Sequence, residues 1–306
     1  MLPYTTNCKL LDPWREGHIV QHWQLPFLGL QVFPAELTAF AIRHFFTFTA
    51  TEREAIFSRY GEHHRLAAAI QIGWIKMTGC PFDAFETLPL AVLQHLGPAL
   101  ALATPELTSL RALYGRRSTL YEHQAWAAEL LGFRPFTERR QRALARQVRR
   151  EAHKAITLNR LVEFARRWLY ERRNLLPTDR RLRHLARTAY AEAEQTMYDT
   201  MHQHIPQHML DTWEAALFAP HRGKASALEW LQQAPRRKLR GLKEQLAKVE
   251  FLKALHVDAY ALDDLRLERQ RDYARQMRRR RPARFRALKD PRRTLEMVCC
   301  LRITLL

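Results

Sequence analysis

Side chains that could do chemistry at useful spacings are few in this sequence. His204 and His208 stand four apart, the step that puts two imidazoles on one helix face for a metal ion. Pro206 lies between them and no third ligand is apparent, so they read as surface histidines. His63 and His64 are neighbours that point in different directions, so they do not share an ion. Asp263 and Asp264 have the look of a carboxylate pair for a metal. They stand where a helix is expected to begin, however, and there carboxylates cap free N–H groups and favour the dipole. No GxxxxGK[ST], GxGxxG or HExxH occurs. The expected catalytic residues, metal ligands and cofactors are therefore none.

Fixed positive charge is abundant instead. Among 306 residues there are 50 Lys+Arg and 31 Asp+Glu, a net charge of +19. Residues 1–130 hold 10 Lys+Arg against 11 Asp+Glu, whereas residues 131–306 hold 40 against 20. Such asymmetry implies that the second segment meets a polyanion. Arginine suits phosphate, because its planar fork bonds two oxygens at once and stays charged. In "GFRPFTERRQRALARQVRR" (132–150), Arg142, Arg146, Arg149 and Arg150 follow helical steps, with Arg139 in the same helix. In "RQMRRRRPARFRALKDPRR" (275–293), Arg275, Arg278 and Arg279 share a helix face. Arg280 and Arg281 precede Pro282, and Arg284 and Arg286 follow it. A stripe of this kind tracks a phosphate backbone and releases counterions at each contact. The competing explanation is a solvated helical surface.

Two segments have the outline of a DNA-reading helix pair. "TEREAIFSRYGEHHRLAAAIQIGWIKM" (51–77) joins two helices at a glycine, and His63, His64 and Arg65 open the second. In "LYGRRSTLYEHQ" (113–124), Arg116 and Arg117 precede a helix N-terminus whose amides could meet a phosphate. The expected DNA contacts are Arg59, His64 and Arg65, then Arg116, Arg117 and Gln124. The basic helix adds Arg139, Arg142, Arg146 and Arg149, and the C-terminal run adds Arg278, Arg279, Arg280 and Arg281.

The elements that must position these residues are helical. Glycine is scarce, and Ala, Leu, Arg and Glu are good helix formers. The expectation is an all-α, multi-helix chain with two or three small helical domains in tandem and helix-turn-helix-like units. Residues 1–34 read as an irregular arm with aromatic anchors and 35–134 as a first helical DNA-binding domain. Residues 135–306 read as a second, strongly basic domain with a sub-boundary near 220.

Helices are expected to begin near Ala35. Thr51 and Glu54 form a capping-box pattern, and Gly61 suits a left-handed cap. A helix over 63–78 puts Leu66, Ile70, Trp74 and Met77 on one side. Gly97-Pro98 separates helices at 88–96 and 100–112. Ser118 caps a helix ending at Gly132, and Thr137 opens the basic helix to about 153. Further helices fall near 157–174, 179–203, 206–218, 225–233 and 238–255, then up to Pro282, and from about Pro291 onward. Phe164 and Trp168, at helical spacing, read as core rather than base-stacking platforms.

Four cysteines form no CxxC, and Cys299 and Cys300 are adjacent, which points to a reduced, cytoplasmic setting. No secretory signal is expected, and no apolar run reaches membrane-spanning length, so no membrane partner is expected either.

Four stretches together resemble the opening region of Tn-three-family transposases, the enzymes of replicative bacterial transposons. They are "LTAFAIRHFFTFTATEREAIFSRYGEHHRLAAAIQIGWIK" (37–76), "STLYEHQAWAAELLGFRPF" (118–136), "LVEFARRWLYERRNLLPTDRRLRHLARTAYAEAE" (161–194) and "LDDLRLERQRDYARQMRRRRPARFRALKD" (262–290). The most specific residues are "YEHQ" and "LGFRPF". The resemblance implies an all-helical region that binds transposon terminal inverted repeats as double-stranded DNA, in the cytoplasm at the nucleoid. It also implies that the family's RNase H-like domain, with its Asp/Asp/Glu metal site, lies beyond this chain. The expectation is thus a recognition part without strand transfer, truncated before catalysis, with full-length transposase or a second copy as further partners. The alternative is a non-catalytic helical interaction or generic nucleic-acid-binding module, a transposase remnant. The apolar ending "LEMVCCLRITLL" (295–306) leaves three fates open: it folds back onto the core, joins a partner, or marks a truncation.

Overall fold

The computed structural model describes residues 20–83, 88–102, 107–155, 157–234, 239–260, 266–288 and 290–305. Asp263 and Asp264 lie outside them. Among the described residues the fold is all-α, with no strand and only two isolated bridges, Arg134 to Asn174 and His221 to Lys224. The chain divides into two compact units. The first comprises Met1–Arg146 and Val162–His184, the second Gln147–Leu161 and Leu185–Leu306.

The helices of the first half are α1 (Ala39–Phe46), α2 (Ala50–Arg59), α3 (Glu62–Thr78), α4 (Leu90–Ala99), α5 (Leu107–Leu113) and α6 (Arg117–Leu130). After them come α7 (Glu138–Ala152), α8 (Leu158–Glu171), α9 (Asp179–His204), α10 (Gln207–Phe218) and α11 (Ala227–Gln232). The last are α12 (Leu239–Lys253), α13 (Leu267–Arg279), α14 (Pro282–Arg286) and α15 (Asp290–Leu305). A 3-10 turn at His22–Phe27 precedes α1, and Val20, Leu28 and Phe33 around it are buried.

The first unit is built around α3. Its apolar residues were expected on one side, yet every residue from Leu66 to Thr78 is buried, because α1, α2, α4, α5 and α6 all pack on it. Ile70, Ile72, Trp74, Ile75 and Met77 lose all exposure, each worth about 1.5–3 kcal/mol of burial. Gly73 lets α1 approach: a Cβ there would lie 2.2 Å from the Phe46 ring. The helix ends at Gly79, which takes the left-handed conformation (φ 72°) and bonds back to Ile75 O at 2.9 Å.

Several local expectations are corrected. The capping box of α2 is Thr49 with Glu52, not Thr51 with Glu54, since Glu52 also has a buried lysine to neutralise. Gly61 has φ −66° and starts α3 instead of ending α2 in the left-handed region. Helix α4 runs through Gly97 and Pro98 to Ala99, because a proline in the last turn removes only one ladder bond. The N-cap of α6 is Arg116, and Ser118 already lies inside the helix, after the turn at Gly115. The first α-helix starts at Ala39, capped by Thr38 Oγ1 accepting from Ala41 N at 3.2 Å. Phe164 and Trp168 are half-buried, while Leu161, Val162, Ala165, Leu169 and Tyr170 form the buried stripe of α8.

In the second unit α13 packs on α15. Leu295, Met297, Val298, Cys299, Cys300 and Leu301 are buried in one cluster with Trp213, Leu252, Tyr273, Met277 and Phe285. The apolar stretch 295–301 therefore packs into the core of its own unit. Burial raises the Cys299 thiol pKa far above its ordinary range. Several buried polar groups of this unit are paired. Arg269 is buried and donates to Ala152 O (2.5 Å) and Tyr273 Oη (3.2 Å), and Tyr273 donates to Glu194 (3.0 Å). Lys248 donates to Leu231 O and Gln233 O at 3.3 and 2.8 Å. No helix among the described residues is long and apolar enough to cross a membrane.

Candidate nucleic-acid interface

In the first unit the expected contacts fall into three groups. Of the helix pair α2–α3, α3 gives its body to the core and only its first turn faces outward, while α2 buries only Glu52 and Ile56. Arg59 is exposed, pairs with Glu122 at 3.3 Å and lies over the Tyr60 ring. Arg65 is half-buried, donates to Tyr60 O at 3.1 Å and covers the Phe57 ring at 4.2 Å. His64 is half-buried as well. Its Nδ1 stands 3.2 Å from Nε2 of buried His123, whose Nδ1 in turn meets the Tyr114 hydroxyl at 3.0 Å. Desolvation, helped by His64, holds His123 down to about 4.

The second group lies on α6. Arg116 and Arg117 are exposed at its N-terminus, where free amides point outward. Gln124 is half-buried and donates to Phe82 O at 2.9 Å. One turn apart, Arg117, Tyr121 and Gln124 line one side of a 390 Å³ cleft, and Tyr121 is 58% exposed. Tyr121 was missed by the sequence reading, in which an aromatic at helical spacing counts as core.

The third group is the N-terminal part of α7. Arg139, Arg142 and Arg146 are exposed at steps of three and four. Only Arg142 has an acidic neighbour in this set, Glu138 at 3.5 Å, and both are so exposed that the pair is worth little.

In the second unit, Arg149 is exposed and pairs with Glu192 at 2.9 Å. Arg278, Arg279 and Arg281 are exposed. Arg280 differs: its Nε and Nη2 grip the two oxygens of Glu296 at 2.8 and 3.0 Å, and Glu296 has no exposed side-chain surface. Arg292 also reaches Glu296, at 2.9 Å, and pairs with Glu194; the carboxylates raise its already high pKa despite burial. Part of the arginine run is thus structural. Arg279, Arg281 and Arg284, together with Arg280 and Gln276, line a cleft of 530 Å³. No group of three or more His, Cys, Asp or Glu that could hold a metal occurs among the described residues.

Fold and surface define an all-helical, strongly basic protein whose exposed arginines gather on short helical faces. The chain belongs to the DUF4158 family, described as a domain of unknown function, which matches residues 28–189. It is similar to a protein of Comamonas testosteroni described as the transposase for insertion sequence element IS1071 in transposon Tn5271. The two are 35% identical over 289 residues, covering 94% of this chain and 29% of that protein. It is also similar to an Enterococcus faecium protein described as the transposase for transposon Tn1546, 22% identical over 256 residues, covering 81% and 25%. The chain is transposase-related, and it spans under a third of the length of these two curated relatives.

Proposed function

We propose that this chain is the DNA-recognition part of a Tn-three-family transposase, binding transposon terminal inverted repeats as duplex DNA without strand-transfer chemistry of its own. The observation that carries the reading is the exposure, in ordered sets, of arginines that form no ion pair among the described residues, Arg139 and Arg146 on α7 and Arg116 and Arg117 at the start of α6. Set beside relatives described as transposases, such sets favour a phosphate backbone over a merely solvated surface. In this reading phosphate contacts by arginine set position, and the outer turn of α6, with Arg117, Tyr121 and Gln124, supplies base-edge contacts.

The test is binding to a terminal repeat, a scrambled duplex and an RNA hairpin at several salt concentrations. A preference of ~4 kcal/mol or more for the repeat, the lower end for specific readers, supports recognition. Equal and steeply salt-dependent binding to all three leaves a generic nucleic-acid-binding module.

A further inference from the structure

We infer that the arginine-lined cleft at the end of α13 is a phosphate-binding site, and that its occupant is one backbone phosphodiester of duplex DNA. The identity of the occupant rests on the DNA-binding reading above; the phosphate chemistry does not.

The cleft follows from one proline. Arg279 ends α13, and Arg281 is the extended N-cap of α14 (φ −71°, ψ 145°). Pro282 stands at the first helical position, where its fixed φ is pre-set and its missing N–H costs nothing. The chain therefore bends at residues 280–281, and Arg284 returns to the wall that Arg279 and Arg280 form. A run that would be a linear stripe on a straight helix becomes a concavity of 530 Å³. Phe285 is fully buried against Phe218, with ring centroids 5.5 Å apart, and anchors the bend.

The walls are held from behind. Glu296 fixes the Arg280 fork at two points. Gln276 donates to Asp272 at 2.8 Å and accepts from Arg292. Arg279, Arg281 and Arg284 form no ion pair among the described residues, so three like charges share one concavity. Their mutual repulsion turns into attraction only when an anion enters. Several guanidinium forks on one centre suit a tetrahedral phosphate, which accepts from many directions. The lining holds no aromatic side chain to stack a base, so the site reads phosphate and not sequence.

The test compares the chain with the variant Arg279→Ala/Arg281→Ala/Arg284→Ala, all three at exposed positions, after circular dichroism has matched their helicity. Duplex binding is followed against salt. One clamped phosphate predicts that the slope of log K on log salt falls by about 0.9 in the triple variant, on repeat and scrambled DNA alike. An unchanged slope overturns the site. A fall of roughly 2.7 overturns the single clamp in favour of three separate contacts. If the unaltered chain binds no duplex, the DNA-binding reading fails by itself, and pyrophosphate at constant ionic strength decides the cleft. A rise in melting temperature that the triple variant lacks supports a phosphate site fed by another phosphate bearer. Melting curves that respond identically overturn it.

Discussion

Lys76, fully buried on α3, lays its ammonium 2.7 Å from the carboxylate of Glu52 on α2. The same carboxylate accepts from Thr49 N at 2.9 Å and closes the capping box. One side chain thus caps the start of a helix and neutralises a buried cation. Glu52→Ala takes the carboxylate away from the buried ammonium, and removing one member of a buried pair costs about 3–5 kcal/mol. Lys76→Met is expected to cost far less, because Glu52 keeps the Thr49 N–H and its side chain is 10% exposed. Urea titrations of both variants check the asymmetry; equal losses would contradict it.

Gly73 is where α1 crosses α3. A methyl group there would stand 2.2 and 2.4 Å from Cδ1 and Cε1 of Phe46. Phe46 has no exposure, so its ring has no open space to swing into. Gly73→Ala is expected to destabilise by about 3 kcal/mol, the upper end for overpacking, despite the better helix propensity of alanine. Calorimetry reads the outcome, and a melting temperature at or above that of the parent would show that the crossing can open.

Helix existence was legible because Pro, Gly and capping residues punctuate the sequence. Gly79 and Gly132 both fall in the left-handed region past a helix end, as their spacing implies. Boundaries failed where tertiary demand outweighed local pattern. Thr49 and Thr51 are both sound caps, and only the buried Lys76 beneath Glu52 decides between them. The all-round burial of α3 was hidden because Ala67, Ala68, Ala69 and Gly73 carry little hydrophobic signal yet admit five neighbouring helices. Charge was legible as composition, but its division of labour was not. Arg280 and Arg281 are adjacent and identical in type, yet one is locked on a buried carboxylate and the other is exposed. Glu296 sits inside an apolar run and gives no hint of the arginine it serves.

His123 is buried with Tyr114 Oη at 3.0 Å, His64 Nδ1 at 3.2 Å, the Tyr60 ring beside it, and Arg59 and Glu122 within electrostatic reach. Its folded pKa lies at about 4, below the ordinary 6.5, mainly through burial. The unfolded chain therefore binds the extra proton first. The stability this imidazole contributes is fully present above pH 6.5 and is lost as pH falls from 6.5 to about 4. His123→Asn removes that proton-binding difference and should flatten the urea midpoint across the window. An unchanged slope in the variant would place the acid sensitivity elsewhere in the chain.

Arg280 and Arg146 separate folding from binding within one charge excess. Arg146 is exposed on α7 and forms no ion pair among the described residues. Arg146→Ala should leave the urea midpoint in place and lower the salt slope of duplex binding by about one. Arg280→Ala removes two charged hydrogen bonds from the unexposed side chain of Glu296 and leaves it Arg292 alone. That loss is expected to cost about 1.5–3 kcal/mol of stability. Arg280→Lys restores the charge without the two-point fork, so it should recover only part of the loss. If Arg280→Ala melts like the parent, Glu296 does not depend on it, and Arg280 then belongs with the exposed arginines as a contact for the polyanion.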